Sequence, residues 1–433
     1  MISLLTAVTF LVLGTVAPPG GFARRSRPTP FTEKTTLPVR LVAHPVSGTL
    51  GKWRGPDLRE TEEWVQGADP AINALMDREH TFIQLYGGVQ RLLGRRVVED
   101  ADHRYTVVRL SDRLLTFADL EDQPVDMTVK AEELIDFAAR LKKERKIPLL
   151  YVQAPSKNDV LPLPQGLTTA EDLQADSLLE ALQEAKVDVL DLRPLFREAE
   201  DGESLFYATD HHWTPKGAFL GYQALARRLE KRYGFTYEEE LTDPENFRVY
   251  TFEDIFLGSQ GRRVGSLYGG TDDLEIWVPD FATNFSYTCP ADGIEREGAF
   301  VTALLFPERL ASSGLYETNP YTVYSGGDYL LTRAENRNPP NRKRVLVLRD
   351  SFGCGLTPFL SLVCQETDTI DPRGFQGGQE TMLDYVDWLD PDVVIVLNTA
   401  SSLENDTLFP YLPTARREAV KRSLAESTNS QQP

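Results

Sequence analysis

Short apolar runs alternate with helix-periodic segments through the middle of this 433-residue chain. The apolar runs occupy residues 147–152, 187–190, 345–348 and 393–397. The runs 345–348 and 393–397 are uninterrupted, which is typical of strands that are buried on both faces of a parallel sheet. Helical patterns precede the first two runs, and further helical patterns at about 355–364 and 379–389 follow the third. The alternation predicts an open α/β sheet flanked by helices on both faces.

Two other segments have distinct patterns. Residues 215–233 carry the clearest helix signals, because Thr214 is an N-cap residue, Pro215 suits the first helical position and Gly234 suits the end. Residues 235–340 break the alternation and are rich in Gly, Tyr, Thr and Phe, with short strand-like runs at 275–278 and 321–324. A mostly β insertion is therefore predicted inside the α/β sheet protein.

The sequence at the two ends of the chain indicates segments outside the folded core. Residues 2–17 are apolar and suit a signal-peptide core or a short membrane anchor, with a buried N-terminal helix as the alternative. Prolines follow at intervals as far as Pro45, as in an extended linker. The predicted divisions are a signal or anchor at 1–20, a linker at 21–60, core parts at 61–234 and 341–413, the β-rich insertion at 235–340 and a disordered tail at 414–433.

Composition narrows the classes of partner and site. Asp and Glu total 65 against 46 Lys and Arg, so the net charge of -19 repels phosphate backbones and nucleic acid is not expected as a partner. Three cysteines cannot form a disulfide framework. No C-x-x-C motif occurs, and five histidines offer little for a multi-histidine metal centre. We therefore expect neither a metal nor another cofactor.

Ser351 is the first candidate for chemistry. It lies in the segment 349–353, Arg-Asp-Ser-Phe-Gly, between the apolar run 345–348 and a helical pattern. A serine on a strand-to-helix turn presents its hydroxyl beside the N–H groups of the helix start, as a nucleophile requires. An N-cap serine would have the same local sequence. Cys354 is a rival nucleophile at the same helix start, ranked below Ser351.

The second candidate is the segment 209–215, Thr-Asp-His-His-Trp-Thr-Pro, directly before the predicted helix. A histidine near the positive end of a helix stays neutral and can accept a proton, and a nearby aspartate can orient it. A metal site or a structural cap are the alternatives. Adjacent residues of an extended strand point to opposite faces, which argues against both rings reaching one ion.

Other residues are candidates for the walls of the crevice at the carboxyl ends of the strands. Arg262 lies in the loop 258–265 and either holds a substrate or belongs to a hairpin turn. Lys157 follows the first apolar run and either lines the crevice or is a solvated lysine. The aromatic residues Tyr268, Trp277 and Tyr287 either stack on sugar rings or belong to the core of the insertion.

Residues 209–215 resemble the signature of the bacterial DHHW family, which is related to the SGNH-hydrolase-like proteins that O-acetylate alginate and other exopolysaccharides. Further segments resemble the same family, namely residues 258–265, 349–353, 370–373 and 391–394. The likeness spans roughly residues 55–400. It implies an SGNH-hydrolase-like (flavodoxin-like) α/β fold. It also implies that Asp210 and His212 form the catalytic dyad, that Trp213 lies beside them, and that Ser351 is the nucleophile.

The order of these residues departs from the usual SGNH pattern. An early Gly-Asp-Ser nucleophile and a late Asp-x-x-His are usual there, whereas here the Asp-His pair precedes the serine, as in the alginate branch. No Gly and Asn blocks occur at the usual spacing for the oxyanion hole. The backbone N–H of Ser351 or Phe352 is therefore the first candidate donor, with Gln260 or Arg262 second. Lys157 and Trp213 complete the candidate substrate-binding set.

The resemblance implies an exported serine O-acyltransferase that acetylates a cell-surface or exopolysaccharide through an acetyl-Ser351 intermediate. Its implied partners are the polysaccharide acceptor, a membrane-bound O-acyltransferase that supplies the acetyl group, and the membrane itself through the N-terminal segment. The overall charge favours a neutral or cationic glycan over a polyuronate. The alternatives are a carbohydrate acetyl esterase with the same triad, a non-catalytic glycan-binding scaffold, and, more distantly, a metal phosphoesterase.

Overall fold

The computed structural model of the protein describes residues 80–118, 124–164, 167, 169–310, 314–375 and 378–411. These residues belong to one unit, Gln66–Pro433. The predictions for the N-terminal segments 1–20 and 21–60 and for the tail 414–433 lie outside the described residues. Within the described ranges, no helix has both the length and the apolar character needed to cross a bilayer.

A central sheet of eight strands carries the fold. The strands of the described chain are β1 (Val97–Val98), β2 (Val107–Arg109), β3 (Leu115–Phe117), β4 (Leu149–Ala154), β5 (Asp188–Asp191), β6 (Phe247–Phe256), β7 (Asp272–Pro279), β8 (Phe285–Cys289), β9 (Ile294–Gly298), β10 (Leu331–Asn336), β11 (Arg344–Arg349), β12 (Glu366–Ile370) and β13 (Val393–Thr399). The order in the central sheet is β5-β4-β13-β11-β12-β10-β8-β9. The first five of these are parallel, and β10, β8 and β9 continue the sheet as antiparallel strands.

Helices cover both faces of this sheet. The helices are α1 (Thr81–Leu92), α2 (Thr128–Arg140), α3 (Lys157–Val160), α4 (Glu171–Glu184), α5 (Arg193–Arg197), α6 (Pro215–Tyr233), α7 (Ser259–Val264), α8 (Ser266–Gly269), α9 (Phe300–Ala303), α10 (Phe352–Leu360) and α11 (Gln379–Leu389). On β11, Val345 and Val347 pack into a core with residues of α6 and α10. Leu346 and Leu348 pack into a second core with residues of α2, α4 and α11. The predicted α/β fold with a doubly covered sheet is confirmed.

Helix α6 has the predicted boundaries. The Thr214 side chain accepts a hydrogen bond from the N–H of Gly217, and Pro215 opens the helix. Gly234 ends it with φ 72°, a left-handed conformation that favours glycine. The cap matters for the site because it fixes the chain directly after His212.

The segment 235–340 is rich in strands, as predicted, but it does not form one separate sheet. Strands β6 and β7 pair as a separate two-stranded antiparallel sheet, whereas β8, β9 and β10 extend the central sheet. The run 321–324 was predicted to be a strand, and that prediction is wrong. Residues Pro320–Val323 form a 3₁₀ turn, since Pro320 has no N–H to donate to a ladder and its ring favours a turn. The predicted segment boundaries otherwise stay a prediction.

The topology opens a crevice at the carboxyl edge of the parallel strands. Strand β11 lies between β12 and β13, so the chain leaves β11 toward one side and returns on the other side. Ligands bind at such switch points in open α/β sheets. Ser351 follows β11, Thr399 ends β13, and Ser156 follows β4 at this edge.

Candidate active site

Ser351 lies where β11 passes into α10, as the sequence predicted. Its Oγ is 2.7 Å from Nε2 of His212. The preceding residue, Asp350, fixes the turn, because its Oδ2 accepts hydrogen bonds from the N–H and the hydroxyl of Thr399 at 2.7 and 2.9 Å. Its Oδ1 accepts from the N–H of Phe352 at 2.9 Å. The carboxylate thereby ties the end of β11 to the end of β13 and holds the serine in place.

His212 and Asp210 complete a continuous hydrogen-bonded line. Nδ1 of His212 is 2.5 Å from Oδ1 of Asp210, and both residues are buried. Oδ2 of Asp210 accepts from the N–H of Ser259 at 2.7 Å, at the start of α7. Burial raises the pKa of Asp210, but His211, His212 and the Ser259 N–H outweigh it and hold that pKa well below its usual range. Asp210 is therefore a charged carboxylate that can hold the imidazole of His212 in one orientation.

The loop that carries the dyad is held by a residue that the sequence did not single out. Oδ1 of Asp272 accepts from the N–H of Ala208 at 2.5 Å, and Oδ2 accepts from the N–H and hydroxyl of Thr209. Gly258 packs against the same loop, and a Cβ on it would lie 2.1 Å from the Cβ of Asp210. Only glycine permits this close approach. The loop is thus clamped between β7 and the start of α7.

Two aromatic side chains position the histidine and the nucleophile. The ring of Tyr321 stacks on His212 with centroids 3.9 Å apart, and its hydroxyl donates to the carbonyl of Ser351 at 3.0 Å. Nε1 of Trp213 donates to the carbonyl of Phe352 at 3.1 Å. Trp213 is fully buried in the core, so its predicted place in a substrate-binding wall is wrong. Its indole fastens the start of α10 from inside the protein.

A cavity of about 470 Å³ opens beside this line of residues. Its walls include Ser156, Lys157, Glu171, His211, Ser259, Gln260, Arg262, Arg263, Phe352, Thr399 and Ser401. The predicted residues Lys157, Gln260, Arg262 and Phe352 therefore come together here. The volume lies within the range of small-molecule sites, and the cavity is where a reacting group would approach Ser351.

Arg262 was predicted either to hold a substrate or to belong to a hairpin turn, and its secondary structure decides about the turn. Residues 259–264 form α7, so the hairpin-turn interpretation is wrong. Nε of Arg262 donates to the carbonyl of Leu257 at 2.9 Å, and its guanidinium also donates to the carbonyl of Thr318. The side chain is anchored by backbone oxygens rather than by a carboxylate.

The candidate oxyanion donors differ in availability. The N–H of Phe352 already donates to Asp350. The prediction that this N–H is available to an oxyanion is therefore wrong. The N–H of Ser351 has no acceptor among the described residues. The side-chain oxygen of Gln260 accepts from Lys157 at 2.7 Å, which leaves its amide nitrogen as a donor in the cavity wall. Ser351 and Gln260 are therefore the better candidates.

Two parts of the chain are similar to known protein families. Residues 185–367 match the family model of the DHHW proteins. Residues 115–249 match a model described as the SGNH hydrolase-like domain of the acetyltransferase AlgX. The predicted resemblance to DHHW proteins is confirmed. A search of curated protein sequences finds no match.

Solved structures share the fold. Bacillus cereus PatB1, in a structure with a sulfonyl adduct, is 20% identical with a TM-score of 0.57, over 72% of this chain and 98% of that one. A DHHW family protein from Eubacterium siraeum is 16% identical with a TM-score of 0.55, over 72% and 98% of the two chains. The SGNH hydrolase-like fold of this chain is therefore shown, while its activity is argued from its own residues.

Two of the quoted DHHW-like segments, 349–353 and 370–373, meet beside the nucleophile. Arg349 is fully buried, and its guanidinium donates to Asp328 at 2.6 Å. Arg373 contacts both Asp328 and Asp371 at 2.8 and 2.6 Å. Burial raises the pKa of Asp328, but the two arginines outweigh it and lower that pKa to about 2. This charged network joins the end of β11, which precedes α10 in the chain, to the end of β12, which follows it.

Asp210, His211 and His212 offer three ligand atoms within 4.8 Å of one another. The side chains of His211 and His212 do not point to opposite faces as predicted, because this segment forms bends and the two rings lie 3.8 Å apart. Both nitrogens of His212 are nevertheless engaged, by Asp210 and by Ser351. A metal would have to displace one of these partners, so the arrangement fits a proton relay better than a metal centre.

Cys354 and the aromatic residues of the insertion lie away from the cavity walls. The thiol of Cys354 is buried and contacts Asp328 at 3.3 Å. Burial, followed by the nearby acidic groups, raises its pKa far above the usual range despite Arg349, which disfavours the thiolate needed by a nucleophile. Tyr268, Trp277 and Tyr287 are all buried, as expected for core residues.

Lys157 is buried rather than solvated, so the solvated interpretation is wrong. Its Nζ donates to the carbonyls of Leu115 and Ala208 at 2.6 and 3.2 Å and to the side chain of Gln260. It therefore ties β3 and the dyad loop to α7. Burial lowers the pKa of Lys157 to about 7, and the negative charges of Asp272 and Asp210 act in the opposite direction.

This pKa predicts a pH dependence of stability. Between pH 7 and the ordinary lysine value of 10.5, the unfolded chain binds the proton that the folded chain releases, so stability rises with pH. The slope from one such group is at most ~1.4 kcal/mol per pH unit. Replacing Lys157 with methionine is expected to remove this slope, measured as the free energy of unfolding in denaturant at about pH 7.5 and about pH 9.

The matched control is Lys142→Met, because Lys142 is an exposed lysine on the opposite edge of the sheet. It should leave the pH dependence of the wild-type protein in place. Equal slopes for the wild type and Lys157→Met would contradict the account of Lys157.

Proposed function

We propose that this chain is an exported O-acyltransferase that acetylates a hydroxyl of a cell-surface or exopolysaccharide through an acetyl-Ser351 intermediate. The observation that carries the proposal is the hydrogen-bonded line from Ser351 through His212 to Asp210, whose chain neighbours His211 and Phe352 line a cavity. The match to a domain model described as an acetyltransferase supports transfer of an acetyl group.

In the first step, Oγ of Ser351 attacks the carbonyl carbon of the acetyl donor while Nε2 of His212 takes the hydroxyl proton. Asp210 holds the imidazole through Nδ1 and stabilises the positive charge that forms on it. The N–H of Ser351 and the amide of Gln260 are the donors proposed for the negative carbonyl oxygen. The carbon–oxygen bond to the leaving group then breaks, and His212 returns the proton to that group.

In the second step, a sugar hydroxyl enters the cavity and His212 removes its proton. The hydroxyl oxygen attacks the acetyl-serine, the ester bond to Oγ breaks, and His212 protonates Ser351. The product is an O-acetylated sugar and the enzyme returns to its starting state. The partners proposed for this cycle are a polysaccharide acceptor and a membrane-bound O-acyltransferase that delivers the acetyl group.

The charge of the cavity bears on the acceptor. Arg262, Arg263 and Lys157 line it against the single acid Glu171, and Arg263 is paired with Asp100 at 3.0 Å. The walls of the cavity therefore lack the excess of acidic groups that the whole chain carries. The expectation of a neutral or cationic glycan rested on the overall charge, and the residues around Ser351 do not support it.

A carbohydrate acetyl esterase is the second candidate, because water could replace the sugar in the second step at this open cavity. Product analysis with a soluble acetyl ester separates the two. In the presence of acceptor oligosaccharides, a transferase is expected to move most of the consumed acetyl groups onto the sugar. Release of free acetate at the same rate with and without acceptor would favour the esterase. Oligosaccharide binding without ester turnover would favour a non-catalytic scaffold.

A further inference from the structure

Helix α1 presents a row of large apolar side chains to solvent. Phe82, Leu85, Tyr86, Val89, Leu92 and Leu93 are all exposed, and Leu92 is 89% exposed. Their spacing of three and four residues places them along one side of the helix. Leu267 on the neighbouring helix α8 is also exposed and contacts α1 beside Gly88. We call these seven residues the α1 face.

The other side of α1 is firmly packed. Gly87 is buried against α7, where a Cβ would lie 1.6 Å from the carbonyl oxygen of Val264. The side chain of Gln84 accepts from Ser266 and from the N–H of Leu267, both at 3.1 Å. The α1 face is therefore held in place on the helix pair α7 and α8. Contiguous exposed apolar surface of this kind marks an interaction site in a soluble protein.

The charges around the α1 face are positive in an otherwise acidic chain. Residues 80–98 contain no Asp or Glu, although the whole chain has 65 of them. Arg91 and Arg95 lie at the end of the apolar row, whereas the guanidinium of Arg96 donates to the backbone carbonyls of Arg109 and Leu110. Apolar and aromatic side chains next to arginines are the composition of helices that lie in the surface of an anionic bilayer.

We propose that the α1 face docks on the surface of an anionic lipid bilayer. Its apolar side chains enter the boundary between headgroups and acyl chains, and the arginines contact lipid phosphates. Helix α7 supports α1 and also carries Gln260 and Arg262 of the cavity. The docked protein would therefore hold the mouth of the cavity at a fixed distance from the membrane. The docking does not depend on whether the chain transfers or hydrolyses acetyl groups.

The experiment uses the full chain and reads the environment of the α1 face directly. Leu92→Cys is labelled with an environment-sensitive fluorophore, since the three native cysteines are buried. Vesicles of mixed phosphatidylglycerol and phosphatidylcholine are expected to shift its emission to shorter wavelength, and nitroxide-labelled lipids to quench it. Leu173→Cys on α4, whose leucine is 60% exposed, is the matched control and should show neither change.

A charge variant tests the lipid contact. Arg95→Gln is expected to weaken binding of the α1 face to the anionic vesicles about fivefold, since one cation near the surface contributes ~1 kcal/mol. Leu85→Ser with Val89→Ser should remove the Leu92 shift while the unfolding midpoint stays close to wild type. Both side chains are among the exposed ones of the α1 face, so their replacement removes little buried contact.

Three results would overturn the proposal. The Leu92 label could remain unchanged with vesicles, or shift equally with vesicles of phosphatidylcholine alone. It could also be shielded already in their absence, which would mean that another part of the chain or a second copy covers the α1 face. None of these results would argue against the proposed acetyl transfer, which is tested separately with variants of Ser351.

Discussion

Replacement of Ser351 with alanine is expected to lower kcat/KM for an acetyl ester by roughly 10⁴- to 10⁶-fold, with little effect on stability. The substitution removes the only atom that can accept the acetyl group in the proposed mechanism. Ser351 Oγ contacts Nε2 of His212, and the fold around it is held instead by Asp350, Tyr321 and Trp213. Steady-state turnover and a denaturant unfolding curve measure the two effects separately.

Ser401→Ala is the matched control for this variant. Ser401 lines the same cavity, and its hydroxyl contacts Thr399 rather than His212. The control should keep activity within a few fold of wild type. Similar losses for both serines would mean that the cavity, rather than the nucleophile, is what the Ser351 substitution disturbs.

Replacement of Asp210 with asparagine is expected to cost about 10⁴-fold in kcat with the fold intact. An amide NH₂ group facing Nδ1 of His212 would turn that nitrogen into an acceptor and move the ring proton to Nε2. Nε2 could then no longer take the proton of Ser351. The measurement is kcat for the single variants and for the Asp210→Asn and Ser351→Ala double variant.

Residues that act as a unit are not additive. The double variant should therefore be no slower than Ser351→Ala alone. Asp273→Asn is the control, since Asp273 accepts a hydrogen bond from the N–H of Asp254 and has no contact with the dyad among the described residues. A double variant that loses the product of the two single effects would argue against a Ser-His-Asp relay.

The sequence could predict the strands and the best-capped helix because their signals are local. The apolar runs of β4, β11 and β13 report burial on both faces, and Thr214, Pro215 and Gly234 fix α6 directly. The 3₁₀ turn at 320–323 was predicted to be a strand because Tyr321 and Val323 are apolar. These side chains are apolar because the turn itself packs into the core. Both side chains are buried, and Tyr321 stacks on His212.

The residues of the candidate site could likewise be predicted only where the sequence signal is local. Ser351, His212 and Asp210 could be found because each lies in a recognisable short segment. Asp272 and Tyr321 could not, since their partners are 30 or more positions away along the chain. Lys157 was misjudged because nothing local shows that three acceptors converge on it. The overall charge likewise misleads about the cavity, whose wall includes the neighbouring residues Arg262 and Arg263 of a mainly acidic chain.

The central claim is that Ser351 carries the acetyl group, and trapping that intermediate tests it most directly. The protein is mixed with an activated acetyl ester without acceptor, quenched in acid, digested and mapped by mass spectrometry. We predict one acetyl group on the peptide that contains Ser351 and loss of that adduct when acceptor oligosaccharide is added before the quench. Turnover without an adduct at Ser351, or an adduct that persists in Ser351→Ala, would contradict the account.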